Sequence, residues 1–436
     1  MRVSWRVSLR ITLGVASIGA AVGFLSGPLS AAEPEPAPAA VEPEAPRAPD
    51  ARTFPGLDPL RHRVEDGVTV ADLSDGSTAI LSLDPGLQEH LTDQFRRHEV
   101  PWGAAVAIEP STGRVLAYVS HSTAEPDAGD LVLDAGPPTA SVFKVVTGSA
   151  LVDAGVNPDE DVCYHGGMRR LTEGNLEDDP ARDRSCASLS DAMGGSLNAV
   201  FAKLASRHLD GPTLERYATS FGFGQALPFD VPTRSSPMEV PSDRLEFART
   251  SAGFWHMHMS PLHGALIAAT IANDGRMPVA TLVDEVIDGR GEVRYEATPS
   301  IHREVISAET ANRVTAMMQR TVAPRGTARS WFFDRRGNAF VPGFDVAGKT
   351  GTLAAEDPYR SYTWFVGFAP VDDPQIAVAA LVVNGPRWRI KGAYIAREAM
   401  RHWLVTRPRL QRRAAQEAER AAEAAQAAEA AETSSP

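Results

Sequence analysis

Strand patterns occur near both ends of the central part of the chain, and helical patterns fill the stretch between them. Residues 102–120 predict two strands joined by a Pro-Ser-Thr-Gly turn, and residues 361–368 and 376–383 predict two more. Helical patterns cover 87–97, 141–154, 188–208, 261–273, 308–322 and 393–404. We therefore expect an α/β (α+β) fold: an antiparallel sheet built from both termini and flanked by helices, with an inserted helical lobe. A cleft between the two lobes is then the expected place for a site.

The N-terminal segment has the pattern of an export signal. Three arginines (Arg2, Arg6 and Arg10) precede an apolar run over 11–25, and the small residues Ser-Ala-Ala follow at 30–32. The run is shorter than the ~20 residues that span a bilayer, which favours cleavage after about Ala32 over a retained membrane anchor. We expect the body to be exported, either to the periplasm or to the outer face of the cytoplasmic membrane.

Two further segments lack the pattern of a core. Residues 33–58 are rich in Pro, Ala and Glu and predict a stiff, extended linker. Residues 408–436 are rich in Ala and Glu without an apolar stripe, which predicts a solvated, partly helical tail rather than a docking helix. The folded body is then expected in 59–407, with 59–100 as a lead-in to a main domain over 101–407.

The charged residues are unusual in their kind as well as in their balance. The chain has 43 Lys plus Arg against 55 Asp plus Glu, and the net charge of −12 argues against nucleic acid as the main partner. Only four of the 43 cations are lysines, at positions 144, 203, 349 and 391. Lys203 and Lys391 are most simply surface charges. Lys144 and Lys349 fall within motifs, as described below.

The two cysteines lie on either side of an acidic, turn-rich stretch. Cys163 and Cys186 are the only cysteines in the sequence, and residues 171–179 lie between them. In an oxidising compartment, a bridge closing this stretch would stabilise the fold by about 3 kcal/mol. We therefore predict a Cys163–Cys186 disulfide.

A metal site is the weaker interpretation of the cysteines and histidines. Cys163 with His165 gives no complete ligand set. His256, His258 and His263 have metal-like spacing, but no nearby Asp or Cys completes that set either. We predict no metal, and a structural or cleft-lining role for these histidines.

The first motif with catalytic chemistry is Ser-Val-Phe-Lys at 141–144, where an extended segment gives way to a helix. A spacing of three places the Ser141 hydroxyl and the Lys144 amine on one face of the helix start, where unpaired N–H groups favour an oxyanion. A hydroxyl needs a base to become a nucleophile. Lysine serves as that base once burial or a nearby cation lowers its pKa, whereas arginine effectively never deprotonates.

Two further motifs follow in the chain. Ser196-Leu197-Asn198 offers a hydroxyl for proton relay and an amide that both donates and accepts, although a helix N-cap is an alternative role. Lys349-Thr350-Gly351-Thr352 follows a strand-like segment. There Gly351 would let a bound peptide backbone approach closely, and Thr350 could hold a carboxylate.

In this order, the three motifs resemble the signature of the penicillin-binding transpeptidase family: Ser-x-x-Lys, Ser-x-Asn and Lys-Thr-Gly. Further segments are similar to the family's landmarks, at 83–88, 102–120, 260–262, 271–275, 326–328 and 364–370. The resemblance implies a β-lactamase/transpeptidase-like fold and a transpeptidase domain over 101–407. It also implies that Ser141 is the acylated nucleophile and that Lys144 is its base.

The same resemblance implies roles for the other motif residues. Ser196 would relay a proton to the leaving amine, and Asn198 would orient the substrate amide and the lysine base. Lys349 and Thr350 would hold the substrate, and the N–H group of Thr352 would complete an oxyanion hole with that of the nucleophile.

The implied reaction is acyl transfer through a serine ester, without a cofactor. The donor would be a peptidoglycan stem peptide ending in D-alanyl-D-alanine, and the acceptor would be an amine of a neighbouring strand. β-Lactam antibiotics would act as covalent inhibitors. A separate glycan polymerase and other proteins of cell-wall synthesis are possible partners, and we expect no glycosyltransferase module in this chain.

Three alternatives stay open. A D,D-carboxypeptidase or endopeptidase would use the same acyl-enzyme with water as acceptor. A β-lactamase would need a glutamate as deacylation base, and Glu239 and Glu246 lack the expected local pattern. A non-catalytic β-lactam sensor or scaffold is disfavoured by the intact Ser141 and Lys144 pair. One departure from the family concerns residues 251–253, which read Ser-Ala-Gly where many members have Gly-Gln-Gly.

Overall fold

The computed structural model describes residues 53–168 and 170–433, and it describes side chains as far as residue 420. The predicted leader over 1–32 and most of the predicted linker over 33–58 lie outside the described residues.

In chain order, the strands of the described residues are β1 (Arg63–Glu65), β2 (Val68–Asp72), β3 (Thr78–Leu81), β4 (Trp102–Ile108), β5 (Val115–Ser122), β6 (Val162–Tyr164), β7 (Ser185–Ala187), β8 (Arg276–Pro278), β9 (Val283–Ile287), β10 (Val293–Glu296), β11 (Ile301–Glu304), β12 (Ala347–Glu356), β13 (Tyr359–Ala369) and β14 (Ile376–Asn384). The α-helices are α1 (Pro85–Arg97), α2 (Lys144–Asp153), α3 (Leu189–Gly195), α4 (Asn198–His208), α5 (Gly211–Ser220), α6 (Arg244–Ser251), α7 (Pro261–Ala272), α8 (Ala308–Gln319), α9 (Arg329–Phe332), α10 (Gly392–Arg401) and α11 (Arg407–Thr433). A 3₁₀ turn covers Ala140–Phe143 and a π-helical turn covers His402–Thr406.

The main sheet is antiparallel and has the strand order β12-β13-β14-β4-β5. The strands from the two ends of the body therefore meet in one sheet, which confirms the predicted fold class. Every residue of β14 is buried because this strand lies in the middle of the sheet and helices cover both of its faces. The edge strand β12 carries the Lys-Thr-Gly motif.

Helices of different character cover the two faces of this sheet. Helix α7 packs on one face and is buried on nearly all sides, because apolar residues surround its whole circumference. Helices α1 and α10 pack on the other face, where α1 contacts β5 and α10 contacts β13 and β14. The sheet thus separates two apolar cores, and the helices of the inserted lobe pack into the first of them.

The middle of the chain contains strands as well as the predicted helices. A second five-stranded sheet has the order β1-β2-β3-β9-β10, in which β3 of the lead-in pairs with β9. Strands β8 and β11 form a separate pair. These strands are three to five residues long, too short for an alternating pattern to stand out in the sequence. The lead-in is therefore tied to the body by backbone pairing.

The helical pattern over 188–208 predicts one helix, but the structure has two. Helix α3 ends at Gly195, the next residue, Ser196, has a left-handed φ of +56°, and α4 begins at Asn198. The pair of glycines at 194–195 favours the break, because glycine weakens a helix. The break leaves the Ser-Leu-Asn motif at the junction of two helices.

The C-terminal segment forms one helix, α11, whose side chains are exposed from Arg409 to Arg420. Among the residues that the structure describes, no helix is both long and apolar enough to cross a membrane. The predicted disulfide is present, and Cys163 and Cys186 face each other on β6 and β7.

A buried indole connects the main sheet to the segment that precedes the Ser-Val-Phe-Lys motif. Trp364 of β13 is 1% exposed, and its Nε1 donates a hydrogen bond of 2.9 Å to the Pro138 carbonyl.

We predict that Trp364→Phe lowers the free energy of unfolding by about 1–3 kcal/mol, because the buried carbonyl loses its donor. Trp388, which is 42% exposed, supplies the matched control. Trp388→Phe should change stability by less than about 0.5 kcal/mol in urea unfolding, and equal losses in the two variants would contradict this role for the Trp364 indole.

Candidate active site

A strained turn presents the Ser141 hydroxyl. Ala140 has a left-handed φ of +48°, which is unfavourable for a residue with a Cβ atom. Ser141 is the next residue of the same 3₁₀ turn, and α2 begins at Lys144. The Lys144 Nζ is 2.9 Å from Ser141 Oγ. The predicted nucleophile and base are therefore in contact, although the serine stands in the turn before the helix.

A glycine opposite this turn permits a second contact to the lysine. Gly253 has a φ of +84°, and a Cβ atom at this position would lie only 2.3 Å from the Ala140 carbonyl oxygen. The close approach brings the carbonyl oxygen of Ala252 to 2.5 Å from Lys144 Nζ. Residue 252 had no predicted role, because a backbone carbonyl leaves no signature in the sequence.

The Asn198 side chain has a fixed orientation. Its Nδ2 donates to the Met168 carbonyl at 2.8 Å, and its Oδ1 accepts from Lys144 at 2.7 Å. A backbone carbonyl can only accept, so the amide nitrogen must face Met168 and the amide oxygen must face the lysine. Met168 was another residue without a predicted role.

The third motif joins the first two through Lys349. Its Nζ donates to Ser196 Oγ at 3.0 Å and to the Thr350 carbonyl at 2.8 Å. The left-handed backbone of Ser196 places this hydroxyl at the junction of α3 and α4. All three sequence motifs thus meet in one place.

The two motif lysines, Lys144 and Lys349, are fully buried, and burial lowers the pKa of both. Neither amine has a carboxylate within ion-pair distance among the residues that the structure describes. Burial lowers the pKa of Lys349 to about 7. Burial, together with the nearby charge of Lys349, holds the pKa of Lys144 well below its ordinary value of 10.5. Lys144 is therefore suited to accept a proton near neutral pH.

Five motif residues line a cleft of about 340 Å³: Ser141, Ser196, Asn198, Thr350 and Thr352. The other lining residues are Met168, Thr327, Trp331, Thr363, Trp364, Lys391 and Ala393. Thr327 Oγ1 lies 2.6 Å from Thr350 Oγ1, so these two hydroxyls form a hydrogen bond with each other. Lys391 was predicted to be a surface charge, but it lines this cleft, with its Nζ 4.9 Å from the centre of the Trp388 ring.

Strand β12 forms one wall of the cleft. It is the edge of the main sheet, so an extended peptide can add to it as a further strand. A Cβ atom at Gly351 would lie 3.1 Å from the Thr139 carbonyl oxygen, so a glycine here lets β12 pack closely on the turn that carries Ser141. Ser141 and Thr352, whose N–H groups are predicted to bind an oxyanion, both line the cleft.

The three histidines with metal-like spacing have separate protein partners. The buried His263 ring contacts Ser236 Oγ and the Phe221 carbonyl, His256 contacts a glutamate side chain, and His258 contacts a backbone carbonyl. In the described ranges, no group of three or more His, Cys, Asp or Glu residues is arranged to hold a metal ion.

The prediction that Lys203 is a surface charge is wrong. Its side chain is fully buried and its Nζ pairs with Asp183 at 2.8 Å. The two residues lie 20 positions apart, so their pairing could be recognised only once the chain is folded.

Comparison with known proteins agrees with this geometry. The model of the penicillin binding protein transpeptidase domain matches residues 103–402. The chain is 30% identical over 325 residues to the peptidoglycan D,D-transpeptidase PbpA of Mycobacterium tuberculosis, which covers 65% of this chain and 62% of PbpA. It is 26% identical over 334 residues to stage V sporulation protein D of Bacillus subtilis, covering 71% of this chain and 50% of that protein. This chain thus spans about half to three fifths of the length of these relatives.

Solved structures show the same fold. Penicillin-binding protein A from M. tuberculosis, as an imipenem acyl-enzyme complex, has a TM-score of 0.62 at 26% identity and covers 74% of this chain and 79% of that one. Pseudomonas aeruginosa PBP2 in complex with WCK 5153 has a TM-score of 0.61 at 27% identity, covering 76% and 79%. Since the family model matches more than half of its length, the chain belongs to the penicillin-binding protein transpeptidase family.

Proposed function

We propose that this protein is a serine D,D-transpeptidase that cross-links peptidoglycan stem peptides and that β-lactams acylate at Ser141. The observation that carries the proposal is the buried Lys144 amine, held 2.9 Å from the Ser141 hydroxyl. The names of the relatives, which include a peptidoglycan D,D-transpeptidase, support the same assignment.

The surroundings of Lys144 direct its lone pair. A neutral amine has two N–H groups and one lone pair, and Lys144 has three oxygen neighbours: Asn198 Oδ1, the Ala252 carbonyl and Ser141 Oγ. The first two oxygens can only accept hydrogen bonds, so they take both N–H groups. The lone pair is then left for Ser141, whose hydroxyl is able to donate. The neutral lysine is thereby prepared as a general base.

The acylation step follows from this arrangement. Ser141 Oγ attacks the carbonyl carbon of the scissile amide while its proton passes to Lys144, and the N–H groups of Ser141 and Thr352 bind the oxyanion. Collapse breaks the C–N bond. The proton that Lys144 accepted returns to the leaving amine through the hydroxyl of Ser196, which the Lys349 amine holds. In a β-lactam the same bond is part of the ring, so the leaving amine stays attached to the acyl group.

We propose the edge of β12 as the platform for the donor peptide, with Thr350 binding its terminal carboxylate. Transfer is completed when an amine of a second strand attacks the ester. These substrates are glycan strands with peptide branches, so a separate glycan polymerase is the expected supplier. The predicted leader supports an exported location, in the periplasm or on the outer face of the cytoplasmic membrane.

We predict that the exported protein forms a covalent adduct with a fluorescent penicillin and that Ser141→Ala abolishes it. Gel fluorescence and mass spectrometry of the labelled peptide would measure this. The adduct should persist for many minutes, whereas loss within seconds would indicate a β-lactamase. With a D-alanyl-D-alanine peptide and an amine acceptor, the major product should be the transfer product; hydrolysis alone would indicate a carboxypeptidase. Folded protein without any adduct would refute the acyl-serine assignment.

We also predict that Lys144→Arg lowers the rate of acylation by about 10²–10⁴-fold, because arginine keeps the charge but cannot accept the proton. Lys144→Met, which removes the charge, is the matched comparison and should lose activity to a similar extent. Stopped-flow acylation kinetics would measure both variants, with thermal unfolding as the control for folding. Normal acylation by Lys144→Arg would show that a charge, rather than a base, is required.

A further inference from the structure

We propose that Lys203 is a positioning residue for acylation, because it anchors the disulfide-closed segment 163–186, whose Met168 carbonyl orients the Asn198 amide toward Lys144. This inference rests on the proposed function, since it concerns the same lysine base. We refer to residues 163–186 as the stapled loop.

Lys203 holds the stapled loop at both of its ends. It lies on α4, the helix that begins at Asn198, and its side chain is fully buried. Its Nζ donates to the Cys163 carbonyl at 2.8 Å and to Asp183 Oδ2 at 2.8 Å, and it lies 3.0 Å from Asp178 Oδ1. An ammonium group has three donors, so this set of acceptors can use all of them. Removal of the lysine would leave a buried carboxylate without its cation.

Further contacts press the loop against the same helix. The Asp183 carboxylate also contacts His165 Nδ1 at 2.5 Å, so one carboxylate joins the helix to two parts of the loop. Gly167 has a φ of +70°, and a Cβ atom there would lie 2.7 Å from the Ala199 Cβ. The loop backbone therefore lies directly on α4 at the residue that follows Asn198. The Cys163–Cys186 disulfide closes the base of the loop.

The anchored loop determines which end of the Asn198 amide faces Lys144. The Met168 carbonyl accepts from Nδ2, which leaves Oδ1 for the lysine. If that carbonyl moved, the amide could turn and present Nδ2 to Lys144. An amide N–H would then compete with the Ser141 hydroxyl for the lone pair of the amine. It would also disfavour the ammonium form, because an amide N–H cannot accept a hydrogen bond from an ammonium group.

Among the described residues, few charged or titratable groups surround Lys144 and Lys203. The ionisable side chain that faces Lys144 and affects its pKa is that of Lys349, and the reacting hydroxyl of Ser141 lies beside it. Around Lys203 they are Asp183 and Asp178, with His165 and Arg207 as the next partners of those two carboxylates. Among the described residues, the side chains hydrogen-bonded to Lys144 are those of Asn198 and Ser141, so turning the Asn198 amide leaves only the reacting serine and the Ala252 carbonyl as oxygen partners of the amine.

The test is the pH dependence of the second-order rate of acylation by a fluorescent penicillin, measured on the full exported chain. Lys203→Met should lower the maximal rate by about tenfold to hundredfold. It should also move the acid limb of the profile, which is the fall in rate as the pH drops, to lower pH. The reason is that the turned amide lowers the pKa of Lys144 further. Arg207→Met is the matched control, since it removes a cation of the same helix that binds Asp178 of the same loop. This control should leave both quantities within about twofold of the wild type.

A purely structural role for Lys203 would lower stability or the maximal rate without moving the acid limb, and that outcome would overturn the proposal. If Lys203→Met does not fold, Asp183→Asn, which removes the carboxylate that Lys203 and His165 bind, provides the second measurement. Its acid limb should move in the same direction, and an unchanged limb would again overturn the proposal. Absence of any adduct in the wild type would instead refute the proposed function, so the two failures are distinguishable.

Discussion

The burial of the Lys144 amine beside Ser141 is the constraint on which the rest of the site depends. Burial of the Lys144 amine, without a carboxylate partner among the described residues, lowers its pKa, and the charge of the second buried amine, Lys349, lowers it further. The left-handed turn at Ala140 and the close approach of Gly253 are the backbone features that hold serine, lysine and the Ala252 carbonyl together. The strained backbone of Ala140 therefore lies next to the reacting serine.

The side chains of the site could be predicted from the sequence, but its backbone partners could not. The three motifs identify residues by their chemistry, and the structure brings Ser141, Lys144, Asn198 and Lys349 into one hydrogen-bonded group. The carbonyls of Ala252 and Met168 complete that group. Every residue type has a backbone carbonyl, so the path of the folded chain alone determines which carbonyls lie in the site. Their contribution is nevertheless essential, since these acceptors determine how the lysine and the asparagine are oriented.

The fold shows the same division between local patterns and long-range pairing. The long apolar strands near both ends predicted the main sheet, because each is buried and carries its own pattern. The short strands of the lead-in became recognisable only through their pairing with β9, about 200 residues later in the chain. Lys203 was misjudged for a related reason. A lysine on a helix resembles a solvated charge until Asp183, from a separate loop, is placed against it.

The most direct test of the central claim is the titration of the lysine amines by NMR. The chain has four lysines, so selective isotope labelling of their side chains gives four signals, and Lys144→Arg assigns the one of interest. We expect the Lys144 signal to titrate well below the ordinary value of 10.5, because the amine is buried and lies near Lys349. A Lys144 signal that titrates near the ordinary value would contradict the role of Lys144 as the base.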